Sequence, residues 1–153
     1  MANTYSQIYI QVVFAVQGRE NLIRPEWRED LYKYIAGIFK NKGQKLIAIG
    51  GVTDHIHLFF GIKPNVAISN LIRGIKTGSS AFINERRLVK GKFYWQEGFG
   101  AFSYSRSQID SVAKYVLDQE SHHSNRSFRD EYIGLLDRFE VDYDDRYLFS
   151  WID

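Results

Sequence analysis

Apolar residues in this chain alternate between two spacings. In "IYIQVVFAV" (8–16), Ile8, Ile10, Val12, Phe14 and Val16 fall at every second position, the period of a strand with one buried face. "RPEWREDLYKYIAGIFKNKG" changes period: Leu31, Tyr34, Ile35, Ile38 and Phe39 form a helical stripe, Pro25 suits the first turn and Gly43 the stop. A short strand is predicted over "QKLIAIG" (44–50), then a Gly50-Gly51 turn and a strand over "TDHIHLFFG" (53–61).

After Pro64, Asn65 is placed to cap a second helix carrying Ile68, Leu71, Ile72, Ile75, Phe82 and Ile83 on one side. "GKFYWQEGFGAFSYS" (91–105) is glycine-punctuated and aromatic, which predicts strand with turns. Ser107 with Asp110 reads as a capping box that opens a third helix through "IDSVAKYVLDQ", and a fourth helix begins near Ser127. The tail "DYDDRYLFSWID" is expected to pack on the domain or on a partner.

The predicted order is β-α-β-β-α-β with further helix after it. This is the order of a ferredoxin-like α+β fold: an antiparallel sheet with helices on one face, plus a C-terminal helical region, in a single domain over 1–153. In the strand 53–61, His55 and His57 share a face, and Ile56, Leu58 and Phe60 share the other. If the aliphatic face meets the helices, the imidazoles lie on the open face, where they serve poorly as core and well as a site.

Composition narrows the chemistry. A chain of 153 residues with 44% hydrophobic positions can bury a core as one ordered domain. No apolar run approaches the roughly 18 residues of a membrane span, and "MANTYSQ" is unlike a signal peptide, so a cytoplasmic protein is expected. There is no cysteine, which leaves His, carboxylate and amide groups as the possible metal ligands. The net charge of +2 conceals a split: residues 1–100 carry 14 Lys/Arg against 7 Asp/Glu, and residues 101–153 carry 6 against 11. A basic portion beside an acidic end suits a nucleic-acid partner on one side, although ordinary solvated charge gives the same count.

His at i and i+2 on a strand can converge on one divalent ion. In the third helix Tyr115 and Gln119 are four apart, hence stacked on one face at the edge of the stripe Ile109, Val112, Ala113 and Val116. A phenol and an amide so placed could reach an ion on the sheet, the first as nucleophile and the second as third ligand. Arg73 and Lys76, with Tyr94, Trp95 and Phe99 nearby, offer cations for phosphates and rings for stacking. His122 and His123 follow the third helix and are assigned to capping or DNA contact.

His55-Ile56-His57 is a His-hydrophobe-His motif, and Tyr115 to Gln119 a helical Tyr-x-x-x-Gln. With "NLIRGIKTGSS", "YWQEGFGAFSYS" and "VAKYVLDQ" in this order, most of the chain resembles the single-tyrosine transposases of the IS200/IS605 type. The resemblance implies a homodimeric, Mg²⁺- or Mn²⁺-dependent enzyme acting on single-stranded DNA with hairpin ends. It makes Tyr115 the nucleophile that leaves a 5′-phosphotyrosine and a free 3′-hydroxyl. It makes His55, His57 and Gln119 the metal ligands, often with the tyrosine supplied by the other subunit. The chain departs from the pattern at Gln11 and Gln17, where His and Lys are expected in many relatives. Two other classes fit the same residues: a catalytically silent nucleic-acid-binding dimer, and a phosphoesterase that uses water as nucleophile.

Overall fold

A computed structural model describes residues 3–123 and 126–152. The side chains of His122 and His123, for which capping or DNA contact was expected, lie outside the described residues. Four strands form one antiparallel sheet: β1 (Tyr9–Ala15), β2 (Lys45–Gly51), β3 (His55–Gly61) and β4 (Gly100–Tyr104), in the order β2-β3-β1-β4. Helix α1 (Pro25–Asn41) joins β1 to β2, and α2 (Ile68–Glu85) joins β3 to β4. The element order is therefore the expected β-α-β-β-α-β.

The two sheet faces follow from the register. Ile10, Val12 and Phe14 point with Ile56, Leu58 and Phe60 into a core completed by Leu31, Ile35 and Phe39 of α1 and Ile72 and Ile75 of α2. On the opposite face, Val13 pairs with His57 and Ala15 with His55. That face is not open. Helices α3 (Ile109–Leu117), α4 (Gln119–His123) and α5 (Phe128–Arg138) follow β4, and His55 and His57 are fully buried. Val112 and Val116 of α3 close a small second core with Ala48 of β2 and Phe59 of β3. The ring of Tyr132 on α5 lies over Gly100 of β4. The C-terminal helices carry apolar residues of their own, and this face is where they bury them.

The glycine pair in β2 takes part in this roof. It was expected to turn the chain, but β2 runs through Gly51 and the turn falls at residues 52–54. A Cβ on Gly50 would meet the Val116 carbonyl oxygen at 2.0 Å, so the absent side chain is what admits the α3 backbone. Two helix starts also shift. Asn65 caps nothing, because α2 begins at Ile68 after Ala67. The capping box is Ser105 with Gln108, not Ser107 with Asp110, and it opens a 3₁₀ turn (Arg106–Gln108) that leads into α3. The tail packs on the domain as expected: Phe149 is buried, and its ring lies 5.0 Å from Tyr132 and 5.7 Å from Phe128.

Candidate active site

The strand that carries the histidines is positioned by β1 on one side and β2 on the other, so the two imidazoles have little freedom. Their outer nitrogens are held by different partners. Asp54 Oδ1 lies 2.7 Å from His55 Nδ1, and Gln11 Nε2 donates to His57 Nδ1 at 2.9 Å, with the Tyr104 hydroxyl donating to Gln11 Oε1 at 2.6 Å. The His55 ring stacks on Phe128 at 3.8 Å and 7°. A carboxylate on the far nitrogen fixes a histidine's orientation and raises its basicity, as behind metal-binding imidazoles.

The inner nitrogens converge on a residue that sequence reasoning did not select. Glu131 of α5 is fully buried, and its Oε1 lies 3.1 Å from His57 Nε2 and 3.3 Å from His55 Nε2. The ligand atoms of His55, His57 and Glu131 all fall within 4.8 Å of one another. Burial acts to lower the His55 pKa, but hydrogen bonds to Asp54 and Glu131 outweigh it and hold the pKa above the ordinary histidine value.

Tyr115 is in the same site. Its hydroxyl donates to Glu131 Oε2, its ring meets His57 edge-on at 5.8 Å, and Arg126 Nη2 approaches its oxygen at 3.5 Å. Burial and the Glu131 carboxylate together push the phenol well above its usual pKa. Histidines and tyrosine thus come together within the described chain.

Gln119 is placed differently from expectation. Helix α3 ends at Leu117 and α4 begins at Gln119, with Asp118 between them, so Tyr115 and Gln119 are not stacked on one continuous helix. Gln119 is nonetheless buried. Its Nε2 donates to the Tyr115 carbonyl at 3.1 Å, and its Oε1 has no hydrogen-bond partner among the described residues. Two imidazoles and a carboxylate in a buried cluster fit a divalent cation, which takes such N and O ligands.

Lys76 and Arg73 lie elsewhere, along a groove of about 600 Å³ beside Tyr94 and Phe99. The Lys76 ammonium donates to the Gln96 and Gly98 carbonyls at 2.8 and 2.6 Å, and Arg73 to Asn70 at 3.3 Å. Lys76 therefore ties the 96–98 loop to α2 while lining the groove.

The four-stranded antiparallel sheet with its helices has counterparts among known proteins. The family described as "Transposase IS200 like" matches residues 4–119. The chain belongs to the IS200-like transposase family. It is 20% identical over 118 residues to the ISDra2 transposase TnpA of Deinococcus radiodurans, covering 74% of this chain and 84% of that protein. Among solved structures it is similar to a candidate transposase of Deinococcus radiodurans, with a TM-score of 0.60, 18% identity and coverage of 74% and 92% of the two chains. It is also similar to a REP-associated tyrosine transposase bound to a REP hairpin, with a TM-score of 0.56, 13% identity and coverage of 74% and 67%. Family membership implies a transposase that cleaves DNA, and no helix among the described residues is long and apolar enough to cross a membrane. Glu131 and Arg126 lie beyond the matched residues.

Proposed function

We propose that this IS200-like transposase is metal-dependent and cleaves and rejoins single-stranded DNA through a 5′-phosphotyrosine on Tyr115. The observation that carries the reading is the hydrogen bond from the Tyr115 hydroxyl to Glu131, the carboxylate that also meets both histidines. His55, His57 and Glu131 would hold the ion, with Gln119 Oε1 as a further ligand. A divalent cation there supplies charge that polarises a phosphate oxygen and offsets the charge developing on the leaving oxygen. Two imidazoles favour Mn²⁺ over Mg²⁺.

The residues divide the rest of the chemistry. A phenol of ordinary pKa is only about 0.1% ionised at pH 7, a deficit of roughly 4 kcal/mol. Glu131, which the Tyr115 hydroxyl meets, is placed to take the phenol proton as the oxygen bonds to phosphorus. The bond to the 3′-oxygen breaks, and the freed 3′-hydroxyl later attacks the phosphotyrosine, rejoining strands without ATP because the bond energy is conserved. The homodimer is proposed on the family resemblance, with β2 as an unpaired sheet edge, and light scattering near twice 17.9 kDa is its test. Arg73, Lys76 and Tyr94 are proposed to take the hairpin end of the strand.

The test is covalent capture. Incubation with a labelled single strand and Mn²⁺ should give a denaturation-resistant adduct on the downstream fragment. Tyr115→Phe keeps the ring's packing and should abolish the adduct while strand binding persists. An adduct in the Phe variant would assign another nucleophile. Cleavage by the wild type without an adduct would make water the nucleophile.

A further inference from the structure

Beside Tyr115 lies a cavity of about 450 Å³, lined by Tyr104, Ser111, Tyr115, Arg126, Arg138 and Phe139 among others. Among the described residues its charged groups are two guanidiniums, and no carboxylate lines it. The Arg126 guanidinium is within 3.5 Å of the Tyr115 oxygen, and the Tyr104 and Phe139 rings meet edge to face at 5.4 Å across one wall. The Tyr104 hydroxyl also donates to Gln11, the amide behind His57, so one wall of the cavity adjoins the histidines.

We infer that this cavity seats the nucleotide whose 5′-phosphate becomes joined to Tyr115, with Arg126 bound to the non-bridging oxygens of that phosphate. The inference rests on Tyr115 being the nucleophile. The downstream nucleotide stays tethered to Tyr115 from attack until rejoining, so it must lie in a space that Tyr115 itself lines. The volume is that of a small-ligand pocket, large enough for one nucleotide. Arginine matches phosphate with paired N–H donors, and aromatic walls accept a base without reading its identity. Arg138 lies along the same cavity, where it can meet the next phosphate.

The step balances within the chain and the strand. The Tyr115 oxygen bonds to phosphorus and the bond from phosphorus to the 3′-oxygen breaks. The phenol proton passes to Glu131, and the 3′-oxygen takes a proton from solvent. Charge accumulates on the non-bridging oxygens as phosphorus becomes five-coordinate, and the Arg126 guanidinium lies 3.5 Å from the attacking oxygen. Arg126 is exposed, so its replacement leaves the core intact.

The experiment measures the rate of adduct formation at saturating single strand for wild type, Arg126→Ala and Arg126→Lys. Arg126→Ala should be slower by about 10²–10³, the usual effect of removing one preorganised donor to a developing anion, with partial recovery in Arg126→Lys. Strand affinity should change little, because one of many phosphate contacts is lost. A strand with a neutral methylphosphonate at the cleaved position removes the charge that Arg126 answers, and there wild type and Arg126→Ala should react alike. Equal rates on the natural strand would overturn the inference and leave the transposase reading intact. A deficit that persists undiminished on the methylphosphonate would make Arg126 structural and also overturn it. No adduct from the wild type would defeat both readings together.

Discussion

Replacing Gly50 by alanine tests how the roof over the histidines sets the position of Tyr115. In the middle of a strand, alanine in place of glycine gains about 0.5–1 kcal/mol from the smaller entropy of the unfolded chain, if the added methyl has room. Here it has none: the Cβ would stand 2.0 Å from the Val116 carbonyl oxygen and 3.0 Å from its carbon. Both are backbone atoms of α3 and cannot rotate aside. Recovering even a tight 3.0 Å contact moves the helix away from β2 by about 1 Å, which separates Val112 and Val116 from Ala48 and Phe59. Overpacking of this kind costs about 1–3 kcal/mol, so the net effect is a loss of about 1–2 kcal/mol against a typical stability of 5–15. The variant stays folded, but Tyr115 is carried by the displaced helix. An error of about 1 Å at a reacting group can cost 10²-fold in rate. Urea unfolding should give a lower midpoint with an unchanged slope, and adduct formation should slow far more than the folded fraction falls. Gly37→Ala, at a helical glycine whose Cβ would meet nothing within 4 Å, is the control and should leave the adduct rate unchanged. A Gly50→Ala protein as stable and as fast as the wild type would refute the packing argument.

Three further outcomes are expected. Asp54→Asn removes the carboxylate behind His55 and should weaken Mn²⁺ binding about 10–100-fold by paramagnetic titration, whereas unchanged affinity would make Asp54 irrelevant to the cluster. Phe128→Ala removes the ring stacked on His55 and packed against Tyr132 and Phe149, and should destabilise by about 3–5 kcal/mol in denaturant, with a loss below 1 excluding a core role. Burial lowers the Lys76 pKa to about 8, against a partly offsetting effect of Glu97. The unfolded chain therefore binds more protons between about pH 8 and 10.5, and wild-type stability should gain relative to Lys76→Gln as pH rises through that window; parallel pH profiles would contradict the shift.

The strands and the two helices packed on the aliphatic face were legible because each buries one periodic set of residues. Period alone identifies Val12 and Phe14 in β1, and Leu31 and Ile35 in α1. The covering of the other face was not legible in the same way. Tyr115 lies at the edge of a short stripe, and nothing in its own helix says that α5 will arrive beside it. The Gly50-Gly51 pair reads as a turn in one dimension, and only the approach of the Val116 carbonyl shows that it is a contact surface. Strand alternation would put Asp54 on the face opposite His55, but β3 starts at His55, which frees Asp54 in the turn to reach back to its neighbour's ring.

Gln11 illustrates a departure from family pattern that lies inside the site. Where many relatives are expected to carry histidine, this chain places an amide against His57 Nδ1 and leaves its oxygen to the Tyr104 hydroxyl. The substitution keeps a hydrogen-bonding group behind the imidazole, so the strand retains a part in positioning His57.

Glu131 is the sharper case, because its signal was present in the sequence. In "SFRDEYIGLLDR", Phe128, Tyr132, Leu135 and Leu136 form the buried stripe of α5, and Glu131 falls within it at i+3 from Phe128. A carboxylate with no solvent exposure costs several kcal/mol unless cations or donors meet it, so a chain that keeps one in an apolar stripe has a partner for it. Among the sequence's features, the unassigned demand was for a hard oxygen ligand to stand with His55 and His57. Helical spacing links Gln119 to Tyr115, and spacing along one helix cannot reveal what the next helix brings. Two imidazole nitrogens and a phenol now surround Glu131 at hydrogen-bonding separation. The energetic demand of the buried carboxylate and the chemical demand of the nucleophile are met by the same contacts.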